Sequence, residues 1–277
     1  MTVVALWYSG HSKKLMCAAD SRFSRGKDEH TVRTTDSGPK IFPLPVVCRE
    51  EQAALAMAWP VSRSYTFGFA YAGTALPALS TFALASACAQ NLCSPPSGSG
   101  PVSVESVAEL FREVADRYIR EMSETLGVCD EISSYYFTGL IFGFCPVRAE
   151  YAAYKIQPWT ETGLLEVRIT PLPLGPGDLH LIGSGASTFL ADSEKRRQEK
   201  GFHDPIKTLK AMLGEEWKKD VGGHIQYGEC RQGDFRILPL ITPTDGDPAR
   251  WPVGFLGWDV SGMDVSGYSI GYNAIEF

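Results

Sequence analysis

The sequence predicts a layered α+β domain, and three observations carry that prediction. Apolar strand-like runs and helical patterns arrive in the order strands, two helices, strands, two helices, strands. Helices that come in pairs between blocks of strands favour stacked layers over alternating βαβ units. No linker or internal repeat interrupts the 277 residues, a length sufficient to bury a substantial core. The expected organisation is one domain over residues 1–240 with a C-terminal extension over 241–277.

Each element follows from its own pattern. Residues 3–8 and 15–20 read as apolar strands joined by the polar turn SGHSKK, and residues 40–44 as a third, short strand. FGFAYAG (67–73) is strand-like and ends on a glycine, after which TALPALSTFALASACAQNLC (74–93) reads as a buried helix rich in Ala and Leu. SPPSGSGP (94–101) is a loop by composition. Ser103 is placed to cap a second helix, whose apolar residues Val104, Val107, Phe111, Val114, Tyr118 and Met122 recur at helical spacing. Strands are expected at 135–144 and 150–157, then a Pro- and Gly-punctuated stretch through 177 and a short strand ending at the glycine turn of LIGSG. Helices follow at 186–201 and 204–220, the second with Pro205 in its first turn. Residues 224–240 read as a hairpin turning at Gln232-Gly233-Asp234.

Composition narrows the function classes. The 44% hydrophobic and 21% charged fractions are those of an ordinary globular protein. A net charge of −6 argues against nucleic acid or an anionic membrane as partner. No apolar run reaches the length of a spanning helix, and VVALWY is too short and wrongly flanked for a secretory signal, so a cytoplasmic chain is expected. Seven scattered cysteines without CxxC pairs read as free thiols of a reducing compartment. Neither the cysteines nor the five histidines have metal-ligand spacing, and SPPSGSGP lacks the Lys-Ser/Thr of a phosphate loop, so no metal or cofactor is expected.

The candidate chemistry lies at the start of the chain. Removal of Met1 would leave Thr2 at the terminus, with Asp20 and Lys40 following in AADSR and SGPKIF. A threonine hydroxyl needs an adjacent base, and a terminal threonine has one in its own amine, whose free pKa is about 7.7–8.0. Taken singly the three are unremarkable: threonine after Met1 is common, an aspartate at a strand end closes turns, and a lysine after Gly-Pro faces solvent.

Together with YAGTAL (71–76) and LIGSGAS (181–187), these segments resemble the proteasome β-subunit family of N-terminal-nucleophile threonine peptidases, bacterial proteasome-related type, from Thr2 to about Leu240. The resemblance implies a four-layer αββα sandwich, the N-terminal-nucleophile hydrolase fold. Position by position it implies Thr2 as nucleophile, Lys40 as the cation lowering the local pKa, Asp20 as its charge partner, the Gly73 N–H as oxyanion donor and Ser184 as support for the threonine amine. It also implies Tyr71 as the floor of the specificity pocket, with Phe23 and Ala75 on its walls. The bland alternatives are turn glycines, a helix cap at Ser184 and a core aromatic at Tyr71.

The chain departs from the family pattern in places. KKDVGG stands where the family has Asp-x-x-Ser-Gly, which sets Asp220 too close to Gly222. DVSG (259–262) comes too late in the chain to be that motif, and residues 241–277 have no family counterpart.

The activity implied is that of a threonine-type endopeptidase acting on peptide or unfolded protein inside a homo-oligomeric ring or helical stack. Any unfoldase partner is unidentified, and no nucleic acid or membrane is involved. Two alternatives stay open: a non-catalytic proteasome-like scaffold subunit, and an amidase acting on a small amide.

Overall fold

The computed structural model describes residues 2–26, 31–51, 59–95, 100–126, 132–160, 165–200, 204–214, 221–245, 247 and 251–276. The first block of strands comprises β1 (Val4–Ser9), β2 (Lys14–Asp20), β3 (Phe23–Arg25), β4 (Val32–Thr35), β5 (Ile41–Glu50) and β6 (Val61–Gly73). Helix α1 (Ala75–Ala89), the short β7 (Leu92–Ser94) and helix α2 (Val104–Leu126) follow. Then come β8 (Phe137–Cys145), β9 (Glu150–Trp159), β10 (Glu166–Leu172), β11 (Leu179–Ile182), helices α3 (Ala186–Lys200) and α4 (Pro205–Gly214), and the hairpin β12 (Ile225–Arg231) and β13 (Asp234–Leu238). The result is a mixed α+β fold, mostly strands with four helices among the described residues.

Two sheets organise the molecule. One runs β11-β1-β2-β12-β13, with every pair antiparallel. The other runs β10-β9-β8-β6-β5-β7 and is antiparallel except at β5–β7.

Strand alternation sorts the apolar residues into three clusters. Val4 and Leu6 of β1 join Ala70 and Ala72 of β6, Leu140 and Phe142 of β8 and Phe235 of β13, which welds one sheet to the other. Ala5 and Trp7 point to the opposite face and pack with Phe189 of α3 and Leu209 and Met212 of α4. The far face of the six-stranded sheet, with Phe67, Phe69 and Tyr71, packs on Ala78 of α1 and on Phe111, Ala115 and Ile119 of α2. Between the sheets, the rings of Phe142 and Phe235 meet edge to face at 5.1 Å. Gly68 and Gly228 leave room for them, since a Cβ there would lie 2.3 Å from Phe142 and 2.5 Å from Phe235.

The start and stop signals act as their chemistry requires. Ser103 Oγ accepts the Ser106 N–H at 3.0 Å, capping α2. Asp204 Oδ1 takes the Ile206 N–H at 3.0 Å ahead of α4, whose first residue is Pro205. The hairpin turns over Gln232-Gly233, with Arg231 facing Asp234 and Gly233 at φ +78°.

Several strands are longer than, or absent from, the sequence-based expectation. β5 continues through Pro43 and Pro45 to Glu50 because β7 flanks it only at Cys48–Glu50, which leaves the proline positions on an edge with no strand beside it among the described residues. β10 likewise tolerates Pro171 because it is the edge of its sheet. The β3–β4 hairpin carries no burial pattern to betray it, all four residues of β4 being exposed.

The segment after Leu238 forms small sheets of its own. β14 (Leu240–Ile241), β15 (Val253–Phe255), β16 (Trp258–Asp259) and β19 (Ile275–Glu276) make one, and β17 (Asp264–Val265) with β18 (Tyr268–Ser269) makes the other. This region is tied to the first block of strands, since Ser37 Oγ donates to the Gly257 carbonyl at 2.9 Å. DVSG (259–262) is a local turn there: the Ser261 N–H donates to Asp259 Oδ1 at 3.0 Å, and Val260 is buried.

Candidate functional site

The site grows from the mouth of the five-stranded sheet, where β2 ends on Asp20 and the residues before β1 run alongside it. Asp20 is fully buried, and its carboxylate accepts four hydrogen bonds. Oδ1 takes Lys40 Nζ at 2.8 Å and the Val3 N–H at 2.9 Å, and Oδ2 takes Gly222 N–H at 3.1 Å and Arg22 N–H at 3.3 Å. Lys40 is equally inaccessible. A buried ion pair persists only where its geometry is good and its remaining polar atoms are satisfied, and three backbone N–H groups complete that requirement here. Val3 adjoins Thr2, so the same carboxylate oxygen links the Lys40 ammonium to the start of the chain.

Thr2 is itself buried, at 4% exposure. Its carbonyl accepts the Gly185 N–H at 3.2 Å, which docks the β11–α3 turn against it. Gly183 in that turn has φ +97°, and a Cβ there would stand 2.0 Å from the Thr2 carbonyl oxygen and 3.1 Å from Ala72 Cβ. The glycine therefore permits three segments to meet: the start of β1, the β11–α3 turn and the end of β6. Ser184, half-buried, lies in that turn between Gly183 and Gly185. Gly73 follows Ala72, is exposed, and has φ +111°; a Cβ on it would fall 2.7 Å from the Tyr136 carbonyl. Its backbone conformation is one only glycine adopts freely.

The turn that presents Lys40 is held from two sheets. Phe23 lies against it: a Cβ on Gly38 would lie 2.4 Å from the ring, and Lys40 Nζ stands 5.9 Å from the ring centroid. Tyr71 N–H donates to the Lys40 carbonyl at 3.1 Å, and Tyr71 OH to the Pro39 carbonyl at 3.4 Å. The Tyr71 ring is 1% exposed and stacks on Phe69 and Phe42 at 6.1 and 6.3 Å, so it packs in the core beneath the turn. Burial pushes its phenol pKa up, and the Asp20 charge pushes it further. Ala75, in the first turn of α1, and Phe23 are half-buried against the same apolar cluster. Asp220 lies outside the described residues.

A second ion pair braces the site from outside. Arg22 Nε contacts Asp36 Oδ1 at 2.6 Å and Arg33 contacts Asp36 Oδ2 at 3.0 Å, and the Arg22 hydrogen bond holds the Asp36 carboxyl below its usual range. Gly222 leaves room for it, since a Cβ there would stand 2.4 Å from the Arg22 guanidinium carbon. The Ser21 hydroxyl accepts the His224 N–H at 2.7 Å and donates to the Asp36 carbonyl.

Sequence reasoning thus named residues that the fold gathers: Thr2, Asp20, Lys40 and the 183–185 turn meet, and Gly73 adjoins them through Ala72. It missed Gly222 and Gln226. The Gln226 side chain bonds the backbone of the Lys40 turn on both sides of Pro39, but within IQYGEC it reads as one more strand residue.

Comparison with known proteins corrects the family assignment. No family model matches the chain, and no curated protein matches it. Among solved structures, the chain is similar to Anbu (ancestral beta-subunit) from Yersinia bercovieri, at 12% identity, with 86% of each chain covered and a TM-score of 0.51. Anbu from Hyphomicrobium sp. strain MC1 is 11% identical over 86% of this chain and 84% of that one, with a TM-score of 0.46.

The first likeness places the chain in a proteasome-like fold and goes no further. Membership of the bacterial-type proteasome β-subunit threonine peptidases, which the motifs had suggested, is therefore overturned: the likeness found is to an Anbu structure and lies only in the fold. The physical reason lies in the motifs themselves. YAG and IGSG are turns whose positive φ requires glycine whatever the chemistry, and DSR and GPK are short segments at strand ends. No described helix is long and apolar enough to cross a membrane.

Proposed function

We propose that this chain hydrolyses an amide bond through the Thr2 hydroxyl, once Met1 is removed. The observation that supports this reading above all is the buried Lys40–Asp20 pair at 2.8 Å, shared through Asp20 Oδ1 with the Val3 N–H. An ammonium buried at that point disfavours protonation of a neighbouring α-amine, leaving it able to take the Thr2 Oγ proton. Attack on the substrate carbonyl then forms a tetrahedral oxyanion, for which the Gly73 N–H is the proposed donor, a contribution worth about 2.7–4 kcal/mol in comparable sites. Collapse breaks the C–N bond, returns the proton to the leaving amine and leaves an ester on Oγ, which water hydrolyses. Ser184 is the proposed support of the amine, and the three apolar clusters support an αββα stacking of four layers behind the site. Phe23 and Ala75 are the proposed walls of the substrate pocket, in a cytoplasmic protein of one domain over 1–240 with an extension to 277.

The likeness to an ancestral β-subunit supports a second reading at least as well as it supports an endopeptidase: a proteasome-like scaffold subunit of a homo-oligomer, without chemistry. One experiment separates them. Intact mass first establishes the loss of Met1, and the parent, Thr2→Ala and Thr2→Ser are then assayed against a peptide panel and small acyl amides. Hydrolysis in the parent, retained in part by Thr2→Ser and abolished in a folded Thr2→Ala, is the expected result. Preference for peptides or for small amides assigns the substrate class. An inactive parent with Met1 removed and a multimeric particle size would leave the scaffold reading standing and refute the catalytic one.

A further inference from the structure

We propose that Gln226 is a positioning residue that sets where the Lys40 ammonium stands, an inference that rests on the catalytic reading of Thr2, Asp20 and Lys40. Gln226 lies on β12 opposite Ala19 of β2, one residue from the Ile225–Asp20 pair, and is 1% exposed. Its amide reaches across to the turn that leads into β5. Oε1 accepts the Lys40 N–H at 2.9 Å and the Ile41 N–H at 3.3 Å, and Nε2 donates to the Gly38 carbonyl at 2.6 Å. One planar group therefore grips the backbone on both sides of Pro39.

The opposite side of the turn is held by Tyr71 of β6, through the Lys40 and Pro39 carbonyls. The two grips come from different sheets. Asp20 is fixed by the five-stranded sheet, Lys40 immediately precedes β5 of the six-stranded sheet, and Gln226 links the backbone of the second to the frame of the first. A buried donor or acceptor that loses its partner is costly to leave unpaired, so removing the amide relaxes the turn toward other partners. That displaces Nζ from Asp20 Oδ1. Gln226 touches no substrate in this scheme; its effect passes through Lys40.

The test uses the full chain with Met1 removed and reads the pH midpoint for acetylation of the Thr2 α-amine by acetic anhydride, followed by mass of the N-terminal peptide. Lys40→Ala calibrates the readout by moving the midpoint alkaline. Gln226→Met keeps the volume and removes all three hydrogen bonds; it should move the midpoint alkaline by at least half the Lys40→Ala displacement, with a parallel alkaline move of any pH–rate profile. Gln226→Asn keeps the amide without adding a charge but shortens its reach by one methylene; it should fall between parent and Gln226→Met, and it serves alone if Gln226→Met fails to fold. Phe235→Leu, destabilised in the inter-sheet core, should leave the midpoint where the parent has it. A parental midpoint in folded Gln226 variants, alongside a displaced one in Lys40→Ala, overturns the positioning role and leaves the catalytic reading intact. A parental midpoint in Lys40→Ala as well overturns the catalytic reading, and the role of Gln226 falls with it.

Discussion

Consider the pair Asp20 and Lys40 perturbed one partner at a time. Asp20→Asn preserves shape but removes the charge opposite an ammonium with no exposed surface. It also turns an NH2 group toward two of the four donors that the carboxylate accepts, among Lys40, Val3, Gly222 and Arg22. Breaking a buried pair this way costs about 3–5 kcal/mol, a large part of the roughly 5–15 kcal/mol that holds a domain folded. Lys40→Met leaves the carboxylate with its three backbone N–H groups, so its loss falls at the lower end, about 3 kcal/mol. The double variant strands neither charge and should recover part of the sum, a coupling of about 2–3 kcal/mol. Urea unfolding followed by tryptophan fluorescence, with buried Trp7 as one reporter, measures all four corners of the cycle. The coupling should persist in high salt, because a pair without solvent access is screened little. Single losses that simply add, with coupling below about 0.5 kcal/mol, would refute the claim that the two charges hold each other in place.

Two further expectations follow from the same geometry. Gly183→Ala places a Cβ 2.0 Å from the Thr2 carbonyl oxygen at φ +97°; thermal unfolding should show a loss above the roughly 1–2 kcal/mol of the left-handed conformation alone, and an unchanged melting temperature would contradict the close approach. Asp36 has its carboxyl pKa lowered mainly by the Arg22 hydrogen bond, so its contribution is present above the unfolded value near 3.9 and lost as pH falls through the folded one. The stability gap between the parent and Asp36→Asn should accordingly be full at neutral pH and close in acid, and a gap independent of pH would remove the ion pair from the account.

Much of the fold was legible because local chemistry and tertiary packing agree. The apolar runs of β1 and β2, the Ser103 cap, Pro205 at the head of α4 and the Gln232-Gly233 turn each act through neighbours in sequence. Thr2, Asp20 and Lys40 were legible as candidates only through the family resemblance of the segments that carry them, together with the chemistry of a threonine next to Met1. What sequence alone could not determine is decided between the sheets. Among the described residues no strand flanks β5 at Pro43 and Pro45, which lets the prolines belong to a strand, and Gly222 leaves the space that the Arg22 guanidinium occupies. Gln226 grips Gly38 and Lys40 across 188 and 186 residues of chain, and the Tyr71 ring is packed by contacts with Phe42 and Phe69. Those outcomes depend on which surfaces the two sheets bring face to face, and hydrogen bonds and ring contacts between segments so distant leave no periodicity in the sequence to read.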